Sequence, residues 1–125
     1  MSGLVFDTGA LIALERGARD VMVVAAEARR LNHVITVPAG CVAQAWRAPA
    51  RQARLAAFLR LSNVHVVPLD GADARLVGLL LARAGAKDIA DGHVALCAQR
   101  LGQVVLTSDP EDLRALGPGL KIHAV

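Results

Sequence analysis

Short apolar runs that end in an acid or a turn residue alternate along this chain with longer stretches of helical spacing. Leu4 to Phe6, Val34 to Val37, Val64 to Val67, Val104 to Thr107 and Lys121 to Val125 predict five strands. Gly9 to Arg16, Ala18 to Leu31, Ala39 to Trp46, Pro49 to Leu61, Ala72 to Arg83, Ile89 to Arg100 and Pro110 to Leu116 predict helices. In the fourth helical stretch Arg51, Arg54 and Arg60 interrupt Leu55, Phe58, Leu59 and Leu61, giving an apolar face with a basic back. In the sixth, Ala90, Val94, Cys97 and Leu101 share the face that should meet a sheet, and Gly85, Gly102 and Gly117 punctuate element ends. Strands separated by helices imply right-handed crossovers, hence an α/β fold whose parallel sheet is covered on both faces.

The acids fall at the punctuation marks. Asp7 closes the first strand, Asp88 and Asp91 open the sixth helix, and Asp109 and Asp112 follow the fourth strand. In an open α/β sheet, ligands bind in the crevice at the carboxyl ends of the strands, so these acids can converge there. Each has a structural role open to it as a helix cap, since Asp is a preferred residue at that position and Asp109 precedes a proline. Together, carboxylates without clustered Cys or His suit a hard cation such as Mg²⁺ or Mn²⁺. Thr8, Thr107 and Ser108 flank the acids and could orient water or phosphate, or cap backbone.

A length of 125 residues suits a single domain, 1–125, with its own core. At 54% hydrophobic and 20% charged residues the composition is that of a globular chain. No apolar run approaches the roughly 20 residues of a membrane span, and Asp7 interrupts the first apolar run too early for a secretory leader. A soluble, cytoplasmic protein is expected. Cys41 and Cys97 lie in apolar helical patterns without metal-ligand spacing and read as buried free thiols. The net charge is only +3, but if the five aspartates gather in one pocket, 14 basic residues face six remaining acids elsewhere. An acidic hole in a basic surface suits a nucleic-acid phosphodiester.

Four segments carry a family resemblance. Leu-Val-Phe-Asp-Thr-Gly-Ala-Leu-Ile-Ala-Leu-Glu at the start, Val-Pro-Ala-Gly-Cys-Val-Ala-Gln-Ala-Trp-Arg in the middle, Asp-Ile-Ala-Asp-Gly-His-Val-Ala-Leu-Cys-Ala and Leu-Thr-Ser-Asp-Pro-Glu-Asp-Leu resemble, in that order, a PIN domain of the VapC toxin type. The resemblance implies a parallel five-stranded sheet flanked by helices, a Mg²⁺ or Mn²⁺ site, and endoribonuclease activity that leaves a 5′ phosphate and a 3′ hydroxyl. It also implies a cognate antitoxin and, together with the apolar helices between Ala39 and Leu61, a homodimer, with an antitoxin tail lying over an apolar groove near the acidic site. By motif, Asp7, Asp91 and Asp109 match the family's acids, with Asp88 and Asp112 as auxiliaries. Gln44 departs from the pattern, because this stretch usually carries a glutamate. The amide oxygen of Gln44 can still meet a metal or its water, and Asp88 can restore the missing charge.

Two other readings stand beside the nuclease. A PIN-fold RNA- or protein-binding module with impaired chemistry is what Gln44 favours. A receiver-like signalling domain would need an aspartate closing the third strand and a lysine after a late strand, and the chain has neither. Among the remaining candidates, His93 is two residues from Asp91 and points elsewhere on the helix, so packing is expected rather than base catalysis. Trp46 is expected in the core or an interface. Arg47, Arg51 and Arg54 could follow an RNA backbone or pair with a partner.

Overall fold

In the computed structural model, which describes residues 3–125, the strands β1 (Leu4–Phe6), β2 (Ile35–Pro38), β3 (Val64–Val67), β4 (Val104–Thr107) and β5 (Ile122–Ala124) form one sheet. Every pairing is parallel and the order is β3-β2-β1-β4-β5. The helices are α1 (Thr8–Glu15), α2 (Arg19–Arg30), α3 (Ala39–Ala45), α4 (Ala53–Leu59), α5 (Gly71–Ala84), α6 (Ile89–Leu101) and α7 (Pro110–Leu116). From β1 the chain steps outward to β2 and β3, then crosses back to β4 on the other side of β1. The strand order therefore reverses between β1 and β4, which makes the carboxyl end of that pair the switch point of the sheet.

Right-handed crossovers assign the helices between β1 and β3 to one face and those after β3 to the other. The packing agrees for most of them, with α1 against α2 and α4 and with α5, α6 and α7 against one another, while α3, directly after β2, touches both α1 and α6. Because both faces are covered, the inner strands are buried at consecutive positions: Val5, Phe6, Ile35, Val37, Val105 and Leu106 are fully buried, and Thr36 between two of them is buried with its hydroxyl donating to Gln103 Oε1 at 2.8 Å. Leu11, Leu55 and Phe58 close one side, with the Phe6 and Phe58 rings stacked 5.3 Å apart. A second cluster of Val77, Leu81, Ala95, Leu96 and Leu116 joins α5, α6 and α7. Gly92 permits that approach, since a Cβ there would stand 2.7 Å from Val77 Cγ1.

The expected helix over Pro49 to Leu61 is two elements. Pro49–Arg51 is a 3₁₀ turn and α4 starts only at Ala53. The buried side chain of Gln52 lies at the break: its Oε1 accepts from the backbone N–H of Arg47 at 2.9 Å and of Ala48 at 3.0 Å. Its Nε2 donates to the Ala45 carbonyl at 2.8 Å and to the Glu15 carboxylate. One side chain thus satisfies backbone groups of the turn that follows α3, none of which a helix over Pro49 to Leu61 would have paired. Elsewhere the expected elements are present with ends moved by a residue or two, for instance β2 at Ile35–Pro38 and α5 from Gly71, where Asp70 caps the helix through Asp73 N–H at 2.8 Å.

Cys41 and Cys97 are free and buried, and burial raises their thiols to about 12 and about 11, which leaves them unreactive. Trp46 is half-buried against the main core. Among the described residues no helix is long and apolar enough to cross a membrane.

Candidate active site

Register decides what meets at the switch point. Phe6 pairs with Leu106, so Asp7 and Thr107 emerge side by side from adjacent strands, and Asp7 N–H donates to the Leu106 carbonyl at 3.3 Å. Gly9 allows the start of α1 to approach β4 closely, because a Cβ there would stand 2.3 Å from Ser108 Oγ. A cavity of about 510 Å³ opens at this place, lined by Asp7, Asp88, Asp91, Asp109, Asp112 and Gln44. All five aspartates and the glutamine singled out from the sequence therefore share one hollow, although they come from four separate segments.

Their environments differ. Asp7 is 3% exposed and caps α1, accepting from Ala10 N–H at 2.8 Å. Burial raises its pKa above the usual carboxylate value; the Thr107 hydroxyl and helix-start amides oppose the rise, while Asp109 adds to it. The same Thr107 oxygen accepts from Asp109 N–H at 2.8 Å, so one buried hydroxyl ties two acid-bearing segments together. Asp88 caps α6 through Asp91 N–H at 3.0 Å. Asp91 is half-buried, and desolvation together with the charges of Asp88, Asp7, Asp112 and Asp109 pushes its carboxyl up to about 6. Asp109 occupies the capping position of α7 but makes no capping bond with its side chain, so it is exposed and free to face the hollow. Of the two roles open to it, capping is therefore not the one its side chain takes; Pro110, which has no N–H, leaves that helix start with one fewer group to satisfy.

Gln44 bridges two neighbours. The Thr8 hydroxyl donates to Gln44 Oε1 at 2.6 Å, and Gln44 Nε2 donates to Asp88 Oδ2 at 3.2 Å. Arg16, which sequence reasoning passed over, lines the same cavity as the acids. Among the described residues no carboxylate forms an ion pair with it. The cue was its position one residue past α1, on the wall carrying Ile12 and Ala13.

His93 does not line the hollow. It is fully buried, neither ring nitrogen has a hydrogen-bond partner among the described residues, and burial lowers its pKa, so it packs as a neutral ring. Arg47 donates to the Ala43 and Trp46 carbonyls at 2.8 Å each, and Arg54 to the Glu15 carbonyl at 2.7 Å, both serving helix ends. Arg51 is exposed.

The donor set consists of carboxylate oxygens, with hydroxyls and one amide beside them, which suits a hard, oxygen-seeking cation. Burial first, and then the charges of the four neighbouring aspartates, raise the Asp91 carboxyl, and a nearby cation would oppose the second of these. Among the described residues no three acids, histidines or cysteines are packed closely enough to be a preformed ligand set. The residues fit a hard cation in chemical type.

An acidic hollow at the switch point of an open parallel sheet is the feature that defines this α/β protein. The PIN domain family profile matches residues 4–117, and the chain belongs to that family. Its fold is shared with solved structures of low identity. DNA-bound VapBC from Salmonella typhimurium superposes with a TM-score of 0.70 at 19% identity, covering 99% of this chain and 98% of that one. VapBC2 from Rickettsia felis, bound to a promoter DNA fragment, gives 0.67 at 14%, covering 98% of both chains. FitAB bound to the IR36 DNA fragment gives 0.60 at 17%, covering 97% of this chain and 94% of that one. No curated protein sequence matches the chain.

Proposed function

We propose that this protein is a metal-dependent endoribonuclease of the VapC toxin type, held in check by a cognate antitoxin. The observation that carries the reading is the gathering of five carboxylates from separated segments on one hollow at the β1–β4 switch point. PIN domains are generally nucleases that use divalent metals, and the structural neighbours are VapBC and FitAB assemblies.

Asp7, Asp91 and Asp109, with Asp88 beside them, would hold Mg²⁺ or Mn²⁺. Such an ion, when bound, polarises a phosphodiester, lowers the pKa of water and stabilises the leaving oxygen. The protein's own groups do the rest. Thr107 fixes Asp7 relative to Asp109, the Thr8 and Ser108 hydroxyls offer hydrogen bonds at the rim, and Arg16 presents a cation to the phosphate chain. Hydrolysis should leave a 5′ phosphate and a 3′ hydroxyl. The test is cleavage of single-stranded RNA with Mn²⁺: activity should vanish with chelator and in Asp91→Asn. Cutting that survives both would refute the assignment.

Gln44 and the lack of a preformed ligand cluster favour a second reading, a binding module without catalysis. In that case the wild-type protein binds RNA and never cuts it.

The antitoxin has a place to lie. A groove of about 300 Å³ between α2 and α4 is lined by Leu14, Met22, Ala25, Phe58 and Leu61, with Arg29 and Arg54 among its walls. It borders α1, which also forms a wall of the acidic hollow, so a tail in the groove could extend an arginine toward the acids. A homodimer is part of the proposal, but its surface moves. Among the described residues no large apolar side chain stands exposed between Ala39 and Leu61, whereas Leu76, Leu79 and Ile89 do. Light scattering at micromolar concentration should give twice the chain mass; a monomer would remove the dimer and leave the site untouched.

A further inference from the structure

Gln44 stands where the resemblance leads one to expect a metal-ligating glutamate, and its hydrogen bonds give it a different task. Asp88 Oδ2 lies 3.2 Å from one end of the Gln44 amide, and an ionised carboxylate only accepts, so that end is the NH₂. The amide oxygen is then turned to the Thr8 hydroxyl at 2.6 Å, which donates to it. Both polar ends of Gln44 are engaged by the protein. Asp88 in turn is held twice, through Oδ1 by Asp91 N–H at 3.0 Å and through Oδ2 by Gln44. A glutamate at position 44 would have no donor to offer and would set a second carboxylate against Asp88.

We propose that Gln44 is a positioning residue that clamps the Asp88 carboxylate to Thr8 across the mouth of the acidic hollow, so that Asp88 supplies the charge that a glutamate at position 44 would otherwise bring. Gln44 itself does not touch the cation. This rests on the metal-site reading above and adds to it the route by which Gln44 acts.

A double-mutant cycle on Mn²⁺ binding to the full chain, measured by calorimetry without RNA, separates acting through Asp88 from acting on the ion. Gln44→Ala should weaken Mn²⁺ binding about tenfold, the scale found for partners that orient metal ligands. In an Asp88→Asn background the same substitution should change nothing further. The charge swap Gln44→Glu with Asp88→Asn keeps the total charge and rebuilds the bridge with its donor reversed, because the amide placed at position 88 can donate to the carboxylate placed at position 44; most of the affinity should return. Equal losses from Gln44→Ala in both backgrounds, or no loss with Asp88 intact, would overturn the clamp while Asp91→Asn still abolished binding. Wild-type protein that binds no Mn²⁺ would remove the metal site and the clamp together. Circular dichroism of each variant identifies any that misfold, and the swap then decides alone.

Discussion

Asp91→Asn should make the metal-free protein more stable at neutral pH while destroying its proposed activity. The Asp91 carboxyl is displaced upward from 3.8 to about 6 in the folded chain, by burial and by four neighbouring aspartates. A group raised in this way binds its proton more tightly folded than unfolded. Its ionised form therefore costs stability above pH 6, and the cost disappears as the pH falls toward 3.8, where both states are protonated. About two pKa units correspond to a ceiling of about 3 kcal/mol, and partial solvent access reduces this to about 2 kcal/mol. Asparagine also gives up a favourable charge in the first turn of α6, about 0.3–1 kcal/mol. The desolvation and repulsion effect wins, leaving a net gain of about 1 kcal/mol, or a rise of about 3–5 °C in Tm. Urea denaturation with chelator at pH 7.5 and at pH 4 tests this: the variant should be the more stable at the higher pH and equal to wild type at the lower. Saturating Mn²⁺ should reverse the order at pH 7.5, since only the wild type gains from binding. A variant less stable than wild type at pH 7.5 with chelator, or a gap that does not change with pH, would refute the reasoning.

Mn²⁺ affinity of the wild type should fall as the pH drops through about 6, because Asp91 must lose its proton to face a cation; calorimetry showing a flat profile between pH 5 and 7 would contradict this. Gln52→Ala should cost about 3 kcal/mol, because two backbone N–H groups, a carbonyl and the Glu15 carboxylate lose a buried partner; a loss below about 1 kcal/mol in urea would show that water replaces it. Arg16→Ala should weaken binding of single-stranded RNA and lower its salt slope by about 0.7, one phosphate contact on a single strand. Mn²⁺ affinity should hold or rise, because a cation has left the rim of an acidic hollow, whereas a fall in both affinities would indicate a collapsed site instead.

The sequence by itself determined the alternation of strands and helices and the positions of the acids, because both follow from local rules. Apolar runs such as Val104 to Thr107 can bury only as strands of a covered sheet, and aspartates are selected at helix starts for reasons that operate within a few residues. Asp7 and Asp88 are caps in the structure as their positions implied. The motifs also pointed to the PIN family from four segments in order. Only the tertiary structure decided which of the acids shared a hollow, since that depends on the β1–β4 pairing and its register, a contact between residues about a hundred positions apart. The same is true of the polar residues whose partners are distant. Nothing local distinguished Gln52 from its neighbours in an apparently continuous helix, yet it sits between the 3₁₀ turn and α4 with its side chain bonded to Ala45 and Glu15. Helix geometry already turned His93 away from Asp91, as the structure has it, but nothing local told whether Arg16 faced the acids, because a helix face becomes a wall or a core position only when another element covers it. Gln44 is the sharpest case: its chemistry was legible as a missing charge, but its hydrogen bonds to Thr8 and Asp88 exist only because α1, α3 and α6 converge, and a side chain's role in a polar network is fixed by the partners that folding brings to it.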